Sequence, residues 1–125
     1  MYLLDTNALI CALFAPDRLS SSARKTIENS EHLLVSMASL WEIAIKQSIG
    51  KLDIDASIPE IVDACSALKI DRLPIQPEHI ERIKSLPPIH RDPFDRLIIS
   101  QAIMEHLTII TMDQTIPQYE VKTLW

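Results

Sequence analysis

Acidic residues follow two apolar runs of the chain, at positions where carboxylates could hold a metal ion. Asp5 comes directly after the run Tyr2–Leu4, and Asp113 comes soon after the run 108–111. Both runs are typical of buried strands, and parallel α/β sheets bind their ligands beyond the carboxyl ends of the strands. Neither acid has a basic residue within three positions. We therefore expect Asp5 and Asp113 to face one crevice, with few structural duties of their own.

A third acid, Glu42, is predicted to reach the same crevice from a helix over residues 37–48. It borders the apolar face of that helix, because Ala38 and Ile45 lie about one turn away on either side. Lys46 lies one turn further along the chain, so an ion pair within the helix is the alternative role for Glu42. The residues leave both roles open.

The fourth acid, Asp95, begins a strongly apolar helix predicted over residues 94–106. The side chains at the next helical positions are isoleucine, isoleucine and alanine, which form the core face of that helix. A carboxylate at the head of a buried face needs a partner. Asp92 precedes Pro93 and is expected to cap the helix, which leaves Asp95 to point into the crevice. The alternative role of Asp95 is that of the third helical residue, near the helix dipole, and we expect both roles in part.

Gathered carboxylates repel one another unless a cation lies among them. Ligand sets made only of oxygen suit Mg²⁺ or Mn²⁺. Such ions support hydrolysis of phosphodiester bonds, because they activate water and neutralise the charge that grows on the phosphate. No Ser/His/Asp or Cys/His spacing offers a rival site, since His90 and His106 are separated by a predicted helix. The residues therefore indicate metal-assisted hydrolysis at phosphorus.

The predicted elements that position these acids alternate between strands and helices. Strands are predicted at 2–4, 32–35, 73–75, 108–111 and 121–125, and helices at 8–15, 20–29, 37–48, 59–68, 77–85 and 94–106. Such alternation predicts an α/β fold with a parallel sheet and helices on both faces. No repeat or linker divides the chain, so residues 1–125 are expected to form one domain.

The composition excludes several classes of protein. The single glycine, Gly50, rules out glycine-rich phosphate loops. A net charge of -5 disfavours nucleic-acid binding by bulk attraction, although bound cations reverse the sign locally. Cys11 and Cys65 lie in no paired motif and are expected to be buried thiols. Without a basic leader or a run of about 20 apolar residues, we expect a cytoplasmic protein that does not enter a membrane.

At four places the sequence resembles the PIN-domain family, and specifically its VapC-type toxin ribonucleases. Each matching segment contains one of the four acids, and the segments follow the family's order over nearly the whole chain. They are Leu4-Asp5-Thr6-Asn7, Val35-Ser36 with Ser39-Leu40-Trp41-Glu42-Ile43, Asp92-Pro93-Phe94-Asp95-Arg96-Leu97-Ile98, and Thr111-Met112-Asp113.

The resemblance implies a fold, an activity and partners. The fold is a PIN-like three-layer α/β/α domain with a short parallel sheet. The activity is that of an endoribonuclease that hydrolyses RNA phosphodiester bonds as the toxin of a toxin–antitoxin pair. The implied partners are RNA, a small cognate antitoxin and a second copy of the chain in a homodimer. The implied catalytic residues, which also bind Mg²⁺ or Mn²⁺, are Asp5, Glu42, Asp95 and Asp113.

Further polar residues near the acids are candidates for supporting roles. Thr6, Asn7 and Ser39 could orient the carboxylates through hydrogen bonds, and helix or turn capping is the alternative for Thr6 and Asn7. Arg96 could hold a phosphate of the substrate or pair with Asp92.

The sequence also predicts where Trp41 and His90 lie in the fold. Trp41 is expected in the core or in a dimer contact rather than as a platform for base stacking, since only 5% of the chain is aromatic. His90 is expected in an exposed loop, with a place along the RNA path as the alternative.

Other interpretations of acids at strand ends fit less well. A phosphate-receiver domain needs an acidic pair near the first strand and a late lysine, but Asp5 has no acidic neighbour and no lysine directly follows 108–111. A flap-type nuclease needs DNA-gripping elements for which the chain is too short. The remaining alternative is a catalytically weak or inactive PIN-fold protein that acts as a protein-interaction module.

Overall fold

The computed structural model describes all of residues 1–125, and strands and helices alternate along it. The strands are β1 (Tyr2–Leu4), β2 (Leu33–Ser36), β3 (Ile70–Leu73), β4 (Thr108–Ile110) and β5 (Thr123–Leu124). The helices are α1 (Thr6–Phe14), α2 (Ser21–Asn29), α3 (Met37–Ser48), α4 (Ile58–Ala67), α5 (Pro77–Ile83) and α6 (Pro93–Glu105). Short 3₁₀ turns at Pro16–Arg18 and Ile116–Gln118 complete the regular structure.

All five strands are parallel and lie in the order β3-β2-β1-β4-β5, so β1 is central. Leu4 at the end of β1 pairs with Val35 on one side and with Ile110 on the other. The chain moves outward from β1 to β2 and β3, and then continues on the opposite side with β4. A parallel sheet leaves a crevice at such a reversal of strand order. Asp5 directly follows β1 at this point.

Neighbouring residues of the central strands are buried on opposite faces of the sheet, because side chains alternate along a strand. Leu4 and Ile110 belong to a core that includes residues of α1, α2, α3 and α4. Leu3 and Ile109 belong to a second core, built mainly against α6. Both faces of a parallel sheet need such cover. The predicted three-layer α/β arrangement is therefore confirmed.

The third strand lies earlier in the chain than the sequence predicts. The expected strand covers residues 73–75, but β3 ends at Leu73, because Pro74 has no N–H to donate to a sheet. Lys69 adopts a left-handed conformation with a φ of 58° after α4. The turn at Lys69 lets Ile70 enter the sheet opposite Leu33.

The first helix begins at Thr6 rather than at residue 8, and the polar residues after β1 are not a separate turn. The other long helices agree with the prediction to within about two residues, which is the usual uncertainty of helix ends. Cys11 and Cys65 are free thiols, and both are buried as expected. No helix has the length and apolar character that a membrane crossing requires.

Candidate active site

Asp5 lies between β1 and α1 with only 3% of its surface exposed. One carboxylate oxygen caps α1 by accepting the Ala8 N–H at 2.8 Å, and the other accepts the hydroxyl of Thr111. The expectation that a strand end would leave Asp5 few structural duties is therefore wrong. The reason is that the chain passes from strand to helix without a loop, so the first polar residue also becomes the helix cap.

Glu42 reaches the same region from α3, and both of its carboxylate oxygens have donors. The Thr6 hydroxyl donates to Oε1 at 2.6 Å, and Lys46 Nζ lies 2.6 Å from Oε2. Since a carboxylate can only accept, Ser39 is left to donate to the Thr6 oxygen at 3.0 Å. Thr6 thus contacts the acid directly and Ser39 contacts Thr6, whereas Asn7 is exposed on the first turn of α1. The alternative ion pair with Lys46 is also formed.

Asp92 and Asp95 divide the two roles expected at the start of α6. Asp92 is the N-cap, and its Oδ1 accepts the N–H groups of Phe94 at 2.8 Å and of Asp95 at 3.2 Å. The carboxylate of Asp95 instead lies with its Oδ2 3.0 Å from His90 Nε2. Asp95 also lies in the first turn of α6, so it keeps the place near the helix dipole that its alternative role predicts.

Asp113 follows β4 and is held by the turn that comes after it. Its Oδ1 accepts the N–H groups of Thr115 at 2.6 Å and of Ile116 at 3.2 Å. The oxygen of the Thr111 hydroxyl accepts the Asp113 N–H at 3.0 Å, while its proton goes to Asp5. Thr111 thus joins two of the acids, a role that sequence reasoning missed although the residue lies in a matching motif. Asp113, like Asp5, also has structural duties.

His90 is the second residue of the site that sequence reasoning did not select. Its Nε2 lies 3.2 Å from Asp113 Oδ2 in hydrogen-bond geometry and 3.0 Å from Asp95 Oδ2. The ring is largely buried rather than exposed on the loop. The position two residues before the helix cap Asp92 was the available signal, but the distance to Asp113 could not be read from it.

Arg96 does not form the predicted pair with Asp92. Its guanidinium donates to the carbonyl oxygens of Ile83 at 3.2 Å and Pro87 at 3.0 Å, and to the Tyr119 hydroxyl at 3.3 Å. These contacts hold the end of α5 and the loop after it. A phosphate-binding role for Arg96 stays a prediction, and the observed hydrogen bonds already occupy both terminal nitrogens.

Two of the four carboxylates, Asp5 and Asp95, are disfavoured as anions, chiefly by burial and also by the charges of neighbouring acids. Burial raises the pKa of Asp5 to about 6, and repulsion from Asp113 and Glu42 adds to this effect. Burial also raises the pKa of Asp95 to about 7, with further contributions from Asp92 and Asp5. Raised carboxylate pKa values in one cluster indicate that a cation there would relieve unfavourable charge.

The pKa values of Asp113 and Lys46 shift in the direction that favours the charged form of each group. Partial burial raises the pKa of Asp113, but hydrogen bonds from Thr115, His90 and Ile116 outweigh it, and the net shift is downward. The hydrogen bond to Glu42 raises the pKa of Lys46. Burial therefore disfavours the charged forms of Asp5 and Asp95, whereas hydrogen bonds stabilise the charged form of Asp113.

The donor set fits a divalent cation. Atoms of His90, Asp95 and Asp113 lie within 4.8 Å of one another, so the Asp95 and Asp113 oxygens are close enough for one ion to bridge them. The oxygens of Asp5 and Glu42 belong to the same repelling group. Carboxylate oxygens of this kind are the ligands that Mg²⁺ and Mn²⁺ prefer.

The metal-free protein is expected to lose stability as the pH rises from about 4 to about 7. Because the pKa of Asp5 is about 6 in the folded chain against an ordinary 3.8, the folded state binds more protons than the unfolded state in this interval. The free energy of unfolding therefore falls as the pH rises. Asp5→Asn keeps an acceptor for the Ala8 N–H, and near pH 7.5 it should stabilise the metal-free protein by on the order of 2 kcal/mol.

Urea unfolding with a chelator near pH 5 and near pH 7.5 measures both effects. Asp53→Asn, at an exposed carboxylate outside the site, is the matched control and should leave the pH dependence unchanged. An Asp5→Asn protein no more stable than wild type at the higher pH would contradict the interpretation that buried charge destabilises the apo-protein.

Comparison with known proteins places this geometry in a family. The family model described as the PIN domain matches residues 2–122. None of the curated protein sequences compared with the chain matches it.

Three solved structures have the same fold at low sequence identity. VapBC2 from Rickettsia felis, bound to a DNA fragment of its promoter, is 16% identical with a TM-score of 0.72, over 98% of this chain and 96% of that one. FitAcB from Neisseria gonorrhoeae is 18% identical with a TM-score of 0.66, over 100% and 97%. VapC20 from Mycobacterium tuberculosis, a toxin that cleaves the sarcin–ricin loop, is 12% identical with a TM-score of 0.65, over 94% of both chains. The family match and the shared fold agree with the four sequence motifs, and the chain belongs to the PIN domain family.

Proposed function

We propose that the protein is a Mg²⁺- or Mn²⁺-dependent endoribonuclease that acts in the cytoplasm as the toxin of a toxin–antitoxin pair. The observation that carries the proposal is that Asp5, Glu42, Asp95 and Asp113, which come from four separate segments, lie close enough for their charges to act on one another. Oxygens of two of them, Asp95 and Asp113, lie within 4.8 Å of each other. Membership of the PIN domain family supports nuclease chemistry, and VapC20, which has the same fold, cleaves the sarcin–ricin loop.

In this proposal the four acids hold the ion, and their neighbours orient them. When bound, the ion activates water and offsets the charge that develops on the scissile phosphate. Thr111 restrains Asp5, while Thr6 and Lys46 restrain Glu42. Because these donors leave the carboxylates little rotational freedom, the side chains lose less conformational entropy when an ion and a substrate bind.

The substrate proposed for the site is RNA, and a cation explains how an acidic chain could bind it. With a net charge of -5 and a cluster of carboxylates, the metal-free site repels phosphate. A divalent ion at the cluster reverses the local sign. Both the binding and the cleavage of RNA are therefore expected to depend on the ion.

Cleavage of RNA by the purified protein is the direct test. With Mn²⁺ present the wild-type chain should cleave RNA, and Asp5→Asn and Asp95→Asn should each reduce the rate by at least about a hundredfold. Both variants should remain folded, because asparagine is nearly isosteric and Asp92 still caps α6. Asp53→Asn is the control for a lost surface charge. Circular dichroism checks the fold, and sequencing of the RNA ends after a short reaction gives the cleavage position.

Full activity in Asp95→Asn would contradict the proposed site. Binding of Mn²⁺ without cleavage of any RNA would favour the alternative, a PIN-fold protein that is catalytically inactive and acts as a protein-interaction module.

A small antitoxin is the proposed protein partner. Two structures with the same fold, VapBC2 and FitAB, are antitoxin complexes that were solved bound to DNA fragments, which supports an antitoxin partner here. Induced expression of the wild-type chain is expected to arrest growth, and co-expression of a small protein encoded beside it is expected to restore growth. Asp95→Asn should not arrest growth. Arrest by the variant as strongly as by the wild type would show that toxicity does not come from the proposed site.

We also propose a homodimer, and an exposed apolar face of α3 supports it. Trp41 is 59% exposed and Met37, one turn earlier, is 37% exposed, so the expectation that Trp41 could lie in the core is wrong. Phe94 packs edge-on against Trp41 with ring centroids 5.0 Å apart. Exposed apolar clusters of this kind mark interaction surfaces.

The dimer is tested by one charge on that face. Trp41→Glu should shift the molar mass in light scattering from dimer toward monomer, because a carboxylate would be buried without a partner. Ile49→Glu is the matched control, since Ile49 at the end of α3 is also 59% exposed. A monomeric wild-type chain at tens of micromolar, or an equal effect of the two substitutions, would contradict the proposed dimer face.

A further inference from the structure

The His90 ring has one orientation and one tautomer in this structure. Its Nδ1 accepts the backbone N–H of Asp92 at 3.1 Å. A backbone N–H can only donate, so Nδ1 must present its lone pair to Asp92. The ring proton of the neutral imidazole therefore lies on Nε2, the nitrogen that faces Asp113 and Asp95.

The oxygens that His90 faces are those left free by the local turns. Asp113 uses Oδ1 for the amides of the turn after β4, and its Oδ2 receives only the His90 Nε2–H at 3.2 Å. Asp95 Oδ2, 3.0 Å from the same nitrogen, accepts no amide of α6. The imidazole therefore stands where the two carboxylates would otherwise face each other with no donor between them.

Hydrogen bonds with the side chains of Tyr119 and Arg96 hold the His90 backbone in place. The Tyr119 hydroxyl accepts the His90 N–H at 2.7 Å and the Ile89 N–H at 3.1 Å, and it donates to the Pro87 oxygen at 2.7 Å. Arg96 lies 3.3 Å from that hydroxyl and 3.4 Å from the His90 oxygen. Two buried or partly buried side chains thus fix the segment that delivers the ring.

We propose that His90 is a positioning residue of the metal site, which donates its Nε2–H to Asp113, lies against Asp95 and aligns both carboxylates for the ion. The proposal rests on the metal-dependent function proposed above. It assigns His90 a role as hydrogen-bond donor to the ligands, and not as a ligand itself. Direct ligation through Nε2 would require the proton to sit on Nδ1, where it would meet the Asp92 N–H.

The same arrangement occurs once more in the chain, at a place without an acid cluster. His79 Nδ1 accepts the Gln76 N–H at 3.0 Å, and its Nε2 lies 2.9 Å from Glu105 Oε1. There the ring joins α5 to α6 and is 1% exposed. His79, which is fixed in the same way, therefore donates from Nε2 to a carboxylate. This supports the same direction of donation for His90.

Two substitutions separate the two ring nitrogens. His90→Asn keeps an acceptor near the Nδ1 position for the Asp92 N–H but removes the donor that faces the acids. His90→Gln places an amide N–H near the Nε2 position. The exposed His32 provides the control variant His32→Ala. Mn²⁺ affinity of the full chain is measured by the electron paramagnetic resonance signal of free Mn²⁺, and pulsed measurements on the complex detect nitrogen bound to the ion.

We expect His90→Asn to weaken Mn²⁺ binding by about tenfold, and His90→Gln and His32→Ala to stay within about threefold of wild type. The wild-type complex should contain no directly coordinated nitrogen from His90. Three affinity results would overturn the proposal while leaving the proposed function intact: equal affinities of all four proteins, tighter binding by His90→Asn, or an equal loss in His90→Asn and His90→Gln. A coordinated nitrogen that is present in the wild type and lost in His90→Gln would overturn it in the same way. A wild-type chain that does not bind Mn²⁺ would overturn both.

Discussion

The burial of neighbouring carboxylates at the carboxyl edge of the sheet is the constraint to which the rest of the molecule is fitted. Asp5 and Glu42 are each 3% exposed, and the pKa of Asp5 rises to about 6 because burial disfavours its charge. Such acids persist only where donors hold them. Here the donors come from the start of α1, from the hydroxyl groups of Thr6 and Thr111 and from Lys46, so α1, α3 and the end of β4 all help to keep the cluster together.

The acids of the cluster also build the fold that holds them. Asp5 caps α1 and Asp113 closes the turn after β4, in each case through an oxygen bound to backbone amides. Tying one oxygen to the backbone fixes the direction of the other, and metal sites use hydrogen bonds of this kind to orient their ligands. At these two residues the same hydrogen bonds therefore hold the local backbone and set the geometry of the candidate site. A substitution that preserves the cap, such as asparagine, changes the charge without removing the scaffold.

Local patterns are sufficient to predict most of the fold and insufficient at a few identifiable residues. Alternating apolar runs predict the parallel sheet and the helices on both faces, because each element has to bury one side. The third strand lies earlier than its apolar run predicts, since the left-handed Lys69 is not a glycine and gives no local signal, and since Pro74 stops the pairing. The start of α1 also differs from the prediction, because Asp5 caps a helix instead of belonging to a turn.

The sequence by itself determined the α/β fold, because apolar periodicity is a local property. It also predicted the four acids and their order, three of them from strand ends and a helix start and Glu42 mainly from the family resemblance. It also separated the capping role of Asp92 from the outward role of Asp95. Only the tertiary structure decided that Thr111 joins two acids and that His90 stands between two others. Thr111 and Asp5 are 106 positions apart, and His90 and Asp113 are 23 apart. Such contacts depend on which strands are neighbours in the sheet, and no local spacing encodes that order.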